Sequence, residues 1–305
     1  MPMYLKTMAR LLIGLLIIAA LLYKFDLHEV VSTMRLANPR YLALAILTYS
    51  LTFLILAIRW KMILGHMKEN LPLSSAYQAF VGGILISDFT PARIGDLTRP
   101  LMVRDKITLK KGTASLFIDR YSDLLTVSLL GFSGVLLLSG LFNLYLILII
   151  SLLLAALLSI SLLWFKRSFL IQFVERRGPA KLLQYAKKFD EATAQLDDAS
   201  GLMVRTIMLT VIAWFTHALR IIFIAKSVGY DVSFLVLLLL QPLISALALV
   251  PITISGLGLV EGGLTALLAS MDVPITVGIS IALLDRILTV AFHVLVGGRY
   301  ATKIL

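Results

Sequence analysis

Two long apolar stretches of this chain, residues 73–103 and 234–270, are each broken near the middle by proline and glycine. The first break reads Pro91-Ala-Arg-Ile-Gly95-Asp96. The second reads Pro251-Ile-Thr-Ile-Ser-Gly256-Leu-Gly258-Leu-Val-Glu261. Proline removes a backbone donor and clashes with the preceding helical turn, and glycine weakens a helix. In a bilayer, backbone that leaves the helix survives only where protein or a water-filled cavity covers it. Both stretches are therefore expected to be paired half-helices, re-entrant hairpins rather than simple spans.

The rest of the sequence supports a membrane setting. The chain is 59% hydrophobic with a mean hydropathy of +0.96, which marks an integral membrane protein. Full spans are expected at about 8–25, 40–58, 116–139, 142–164, 206–225 and 275–297, each long enough to cross roughly 30 Å of hydrocarbon. The net charge of +11 fits basic loops at a membrane surface better than nucleic-acid binding. There is no cysteine, the four histidines show no metal-ligand spacing, and there is no Walker loop. No metal, cofactor or ATP hydrolysis is expected.

Basic residues set the expected orientation. The 165–205 connector is rich in Lys and Arg and should be cytoplasmic, either as an amphipathic interfacial helix or as a solvated linker. Lys61 and Lys68 before the first broken stretch, and Arg104, Lys106, Lys110 and Lys111 after it, place both its ends inside. The second stretch is flanked by Lys226, Asp231 and Asp272, and this poor basic content places its ends outside. Arg299 and Lys303 return the C-terminus to the cytoplasm. The loop 24–40 should lie outside despite Lys24, Arg35 and Arg40, or else the first span is a tilted or interfacial helix. The reading is an all-α integral membrane protein of one domain, 1–305. It has about six full transmembrane helices and two re-entrant hairpins in an inverted-topology repeat, about 40–139 against 206–297.

The charges repeat with the breaks. Each break is followed about one helix later by an adjacent Asp-Arg pair, Asp119-Arg120 and Asp285-Arg286, and preceded at a similar distance by an arginine, Arg59 and Arg220. An arginine at the bilayer centre costs ~3 kcal/mol on insertion scales, so these side chains must face partners or water. Neighbouring helical residues point about 100° apart, so the members of one pair should bridge different neighbours. They can serve as structural ion pairs or as phosphate ligands, for which arginine's planar fork is suited. Gly256 and Gly258 allow close approach of backbone to a ligand or tight helix packing. Asp96 and Glu261 can cap the half-helices after the breaks or set selectivity and coupling. Arg93 and Arg99 fit surface snorkelling as well as substrate contact. The candidate substrate-binding set is Arg59, Arg120, Arg220, Arg286, Gly256 and Gly258. The candidate coupling or selectivity set is Asp96, Asp119, Glu261 and Asp285. Pro91, Gly95 and Pro251 are the structural breaks.

The two breaks, the Asp-Arg pairs and the run Ala57-Ile58-Arg59-Trp60 resemble the flippase-like transmembrane domain of lysylphosphatidylglycerol synthases (MprF type), over nearly the whole chain. The chain departs from that family's usual double glycine at Ser255, and has Asp96 where many relatives have Glu. The resemblance implies movement of an anionic phospholipid, or of a polyprenyl-phosphate-linked headgroup, between leaflets of a bacterial or archaeal plasma membrane. Some stand-alone relatives are linked to polyprenyl-phosphate sugars. The lysine-transfer activity of two-domain relatives is not carried over. Two other readings stay open: a membrane-embedded headgroup or glycosyl transferase, and a scaffold for a separate lipid-modifying enzyme. Oligomeric state is open too.

Overall fold

The computed structural model describes residues 3–24, 27–90, 93–137, 175 and 200–302. The expected span at 142–164, nearly all of the 165–205 connector and Pro91 lie outside them. Among the described residues every regular element is helical. Helices α1 (Met3–Lys24), α2 (Leu27–Arg35), α3 (Pro39–His66) and α4 (Leu73–Asp88) lead to the first break. A 3₁₀ turn, Ile94–Thr98, and the four-residue α5 (Arg99–Met102) follow, then α6 (Leu109–Leu137). The second half comprises α7 (Ser200–Ser227), α8 (Phe234–Ala246), α9 (Leu259–Ala269) and α10 (Ile275–Phe292). A π-helical turn, His293–Gly297, joins α10 to the short α11 (Gly298–Ala301).

Three described stretches are long and apolar enough to cross a membrane: Pro39–His66, Gly201–Ser227 and Ile275–Ala301. Helix α6 has the length, but Asp119, Arg120 and Asp123 interrupt its apolar surface. The helices overrun the expected spans because hydropathy marks where lipid ends, whereas backbone hydrogen bonding continues into the charged flanks. The loop expected over 24–40 contains α2, with Glu29 in its first turn and Arg35 in its last, the charge order a helix dipole favours. This helix packs on α10 through Ser280 Oγ, which donates to the Val30 carbonyl at 3.2 Å.

The central pair is α3 and α7. Asn38 accepts a hydrogen bond from the Arg40 amide with Pro39 behind it, a favoured helix start. The Asn38 amide then bonds the Ser227 carbonyl at 2.7 Å, at the far end of α7. Thr52 and Thr216 hydroxyls meet at 2.8 Å, and Arg59 reaches Thr210 at 2.6 Å. Contacts that advance along one helix while receding along the other make α3 and α7 antiparallel. Outward, α7 presents Val204, Met208, Ile212 and Phe215 at successive helical turns, an exposed apolar stripe suited to lipid.

Two cores flank this pair. One gathers Phe53, Trp60, Phe80 and Leu116 of the first half with Phe292. The other gathers Ile221, Leu237, Leu268 and Ile281 of the second half with Ala45. The two breaks differ. The second separates helices of thirteen and eleven residues. After the first, the expected half-helix is only a five-residue 3₁₀ turn and one α turn. Its tightness has a local cause: a Cβ on Gly95 would lie 2.4 Å from the α4 backbone at Ile86 and Ser87.

Candidate functional site

The Asp-Arg pairs of α6 and α10 meet the breaks and the central helices in two ion-pair networks built to one plan. In the first, Arg59 Nε on α3 donates to Asp119 Oδ1 at 2.8 Å, and its Nη1 donates to Asp123 Oδ1 at 2.5 Å. In the second, Arg220 on α7 forms a two-point contact with Asp285, Nε to Oδ1 at 2.8 Å and Nη2 to Oδ2 at 3.3 Å. The other member of each pair turns toward a break. Arg120 pairs with Asp96, and Arg286 pairs with Glu261 while donating to the Ser255 carbonyl at 3.4 Å. Asp and Arg of one dipeptide thus bind different neighbours, as the 100° step along a helix requires.

The networks differ in dryness. Arg59, Arg99 and Asp119 are completely buried and Asp96 nearly so. Arg99 lies between Asp96, at 2.9 Å, and Asp119, at 2.7 Å, with its guanidinium 4.0 Å from the centroid of the Phe80 ring. That combination holds a charge in a dry site through paired carboxylates and an aromatic face. Arg59 and Arg99 are therefore committed to protein contacts. Arg120 and Arg286 stay partly open, with side chains 34% and 19% exposed. Arg220 is buried, with its guanidinium 4.4 Å from the centroid of the Tyr49 ring.

The break residues have mixed surroundings. Glu261 accepts the Gly258 amide at 2.7 Å, so the start of α9 already holds a carboxylate. Asp96 caps no helix in this way; it is bound to Arg99 and Arg120. Gly256 and Gly258 have φ of +71° and +81°. A Cβ at Gly256 would meet Ala248 at 2.7 Å, and one at Gly258 would meet Ile17 of α1 at 2.7 Å. The open side of both glycines faces protein, which makes them packing positions. Pro251 is exposed in the turn that ends the 3₁₀ segment Leu247–Leu249.

One constellation escaped the sequence reading. Tyr49 Oη and His293 Nε2 lie 2.7 Å apart, and His293 Nδ1 lies 2.6 Å from Asp88 Oδ2. This buried chain joins α3, the π-helical turn and the end of α4 beside Arg220. Its members are 39 or more positions apart along the chain, so no local motif announces them. The π-turn gives a physical reason for the placement, since such turns re-aim side chains and recur at functional positions.

A family model described as the lysylphosphatidylglycerol synthase TM region matches residues 7–297. The chain is similar to a UPF0104 membrane protein of Pyrococcus horikoshii, 26% identical with 96% of both chains covered. It is also similar to a UPF0104 membrane protein of Methanocaldococcus jannaschii, 23% identical with 96% of this chain and 93% of the relative covered. Over 134 residues it is 34% identical to the glycosyltransferase AglD of Haloferax volcanii, covering 42% of this chain and 21% of that protein. A match spanning nearly the whole sequence, on an all-helical frame with membrane-length apolar helices, places this integral membrane protein in the lysylphosphatidylglycerol synthase transmembrane-region family.

Proposed function

We propose that this protein moves an anionic lipid headgroup, of a phospholipid or a polyprenyl-phosphate conjugate, between the leaflets of a prokaryotic plasma membrane. The observation that carries this reading is the repeated plan of the two networks. In each, one arginine is held by the Asp of an Asp-Arg pair, while the Arg of that pair reaches the carboxylate beside a break and keeps some exposure. The antiparallel α3 and α7 support an inverted repeat, because the first helices of two inverted units must run in opposite directions. In this reading the broken segments are re-entrant hairpins entering from opposite faces, and the 165–205 connector and C-terminus face the cytoplasm. The headgroup phosphate passes between the hairpins while the chains stay in lipid. A membrane potential supplies about 2.3 kcal/mol per elementary charge per 100 mV, enough to bias an anionic headgroup outward.

The transferase reading needs a free catalytic carboxylate. Asp119, Asp285 and Glu261 are each bound to arginine, which disfavours it. A scaffold for a separate lipid-modifying enzyme would co-purify with that enzyme and flip nothing alone. Reconstitution into vesicles with a fluorescent phosphatidylglycerol tests the translocase directly. Wild type should exchange the lipid between leaflets at least tenfold faster than a folded Arg286→Ala variant. Equal rates would remove the proposal.

A further inference from the structure

Unlike Arg59, Arg99, Arg120, Arg220 and Arg286, Arg93 makes no ion pair among the described residues. It follows the first break with φ of +53°, a left-handed conformation uncommon outside glycine. Its Nε is sealed from solvent and has no hydrogen-bond partner among the described residues. Its charged and titratable neighbours are Arg286, Asp88, Tyr49 and Arg220, which places it close to the second network as well as to the first break. Every carboxylate in that neighbourhood is already taken. Asp285 faces Arg220, Glu261 faces Arg286, and Asp88 lies 2.6 Å from His293. Asp88 is the one carboxylate among these neighbours, and no carboxylate of the described residues lies within ion-pair distance of Arg93; an anion that can accept two parallel N–H bonds would supply that contact.

The surface beside it suits a lipid. Phe89, Ile94 and Leu97 flank Arg93 along the first break and are 66%, 56% and 51% exposed, and Ile252 at the second break is 50% exposed. An unpartnered cation with apolar surface beside it matches a phosphate attached to acyl or prenyl chains.

We infer that Arg93 is the seat of the lipid phosphate, with Arg286 beside it. This rests on the translocase reading and adds to it the residue that receives the substrate. The apparent liability of Arg93 is then an empty ligand position, and removing its charge has two opposite effects. Without lipid, Arg93→Gln should unfold at a higher temperature than wild type, because a guanidinium with no ion-pair partner beside Arg286 and Arg220 is gone. With lipid, it should lose the stabilisation that wild type gains.

The test uses the purified full chain in detergent. Thermal unfolding and native mass spectrometry are run with dioleoyl phosphatidylglycerol, dioleoylglycerol and inorganic phosphate as separate probes. Wild type should bind and be stabilised by phosphatidylglycerol and not by dioleoylglycerol. Arg93→Gln should bind phosphatidylglycerol about tenfold more weakly, and Arg93→Lys should keep part of the binding. An equal response of wild type and Arg93→Gln overturns the inference. So does an Arg93→Gln protein less stable than wild type without lipid, which would give the guanidinium a structural role. A wild-type response to inorganic phosphate as large as to phosphatidylglycerol overturns the lipid assignment. Vesicle flipping separates this inference from the broader reading. Arg93-dependent binding with no wild-type flipping sinks the translocase and keeps the seat. Equal flipping and equal binding by wild type and Arg93→Gln sinks the seat and keeps the translocase.

Discussion

Asp119 shows how one residue decides the fate of two charges. Its oxygens hold Arg59 at 2.8 Å and Arg99 at 2.7 Å, and all three side chains are fully buried. Asp119→Asn keeps the shape and removes the charge, leaving Arg59 with Asp123 alone and Arg99 with Asp96 alone in a dry site. Removing one partner of a buried pair typically costs about 3–5 kcal/mol, and denaturant titration in detergent should show a loss of that size. Ser255 makes the opposite case. It holds φ of +49°, and its buried hydroxyl has no partner among the described residues. Glycine adopts that conformation without steric penalty, a physical reason for the double glycine usual in the family. Ser255→Gly should raise stability by about 1 kcal/mol, the balance of relieved strain and unmet hydroxyl against glycine's added chain entropy. A lower unfolding midpoint for that variant would show that the hydroxyl has a role in the fold.

At the level of elements, the turn between α3 and α4 is tied to the start of α6. Glu69 accepts from the Thr108 amide at 3.4 Å and faces Lys111 at 3.3 Å. The hydrogen bond from Thr108, and then Lys111, hold the Glu69 carboxyl below its usual range. A depressed folded-state pKa gives stability that is full above the unfolded value, about 4.3, and is lost as pH falls through the lower folded value. Between wild type and Glu69→Gln, the stability difference should therefore shrink below about pH 4 and stay flat from pH 5 upward. Unfolding midpoints across that range check this. A difference that persists undiminished at pH 2.5 would assign the tie to shape rather than charge. The two breaks also differ as elements. The second lies between two real helices, whereas the first is pinned against α4 at Gly95 and turns through a left-handed Arg93.

For the whole molecule, the inverted-repeat reading makes a topological prediction that the absence of cysteine renders clean. Single cysteines at Lys106 and at Asp272, placed after the first and second broken stretches, should be labelled from opposite sides of an intact membrane by an impermeant maleimide. Labelling of both from one side would refute the inverted arrangement. Independently, cysteines replacing Thr52 and Thr216, whose hydroxyls are 2.8 Å apart, should cross-link α3 to α7 under mild oxidation. Failure to cross-link would place the central helices differently.

Much of this was legible in the order of residues alone. Long apolar runs dictate helices, the two clusters of proline and glycine mark where the helices of 73–103 and 234–270 are interrupted, and the 100° step dictates that Asp119 and Arg120, or Asp285 and Arg286, serve different neighbours. The family resemblance was legible for the same reason, since it rests on those local patterns. Which arginine is locked and which is free was not. The sequence does not tell Arg59 from Arg93 in this respect, yet one is fixed by Asp119, Asp123 and Thr210 and the Nε of the other has no hydrogen-bond partner among the described residues. Nor was the Tyr49–His293–Asp88 chain visible. A charge finds its partner through the rotation and crossing of helices that are far apart along the chain. Local propensity sets where a helix exists, and packing against α3 and α7 sets which way each side chain points.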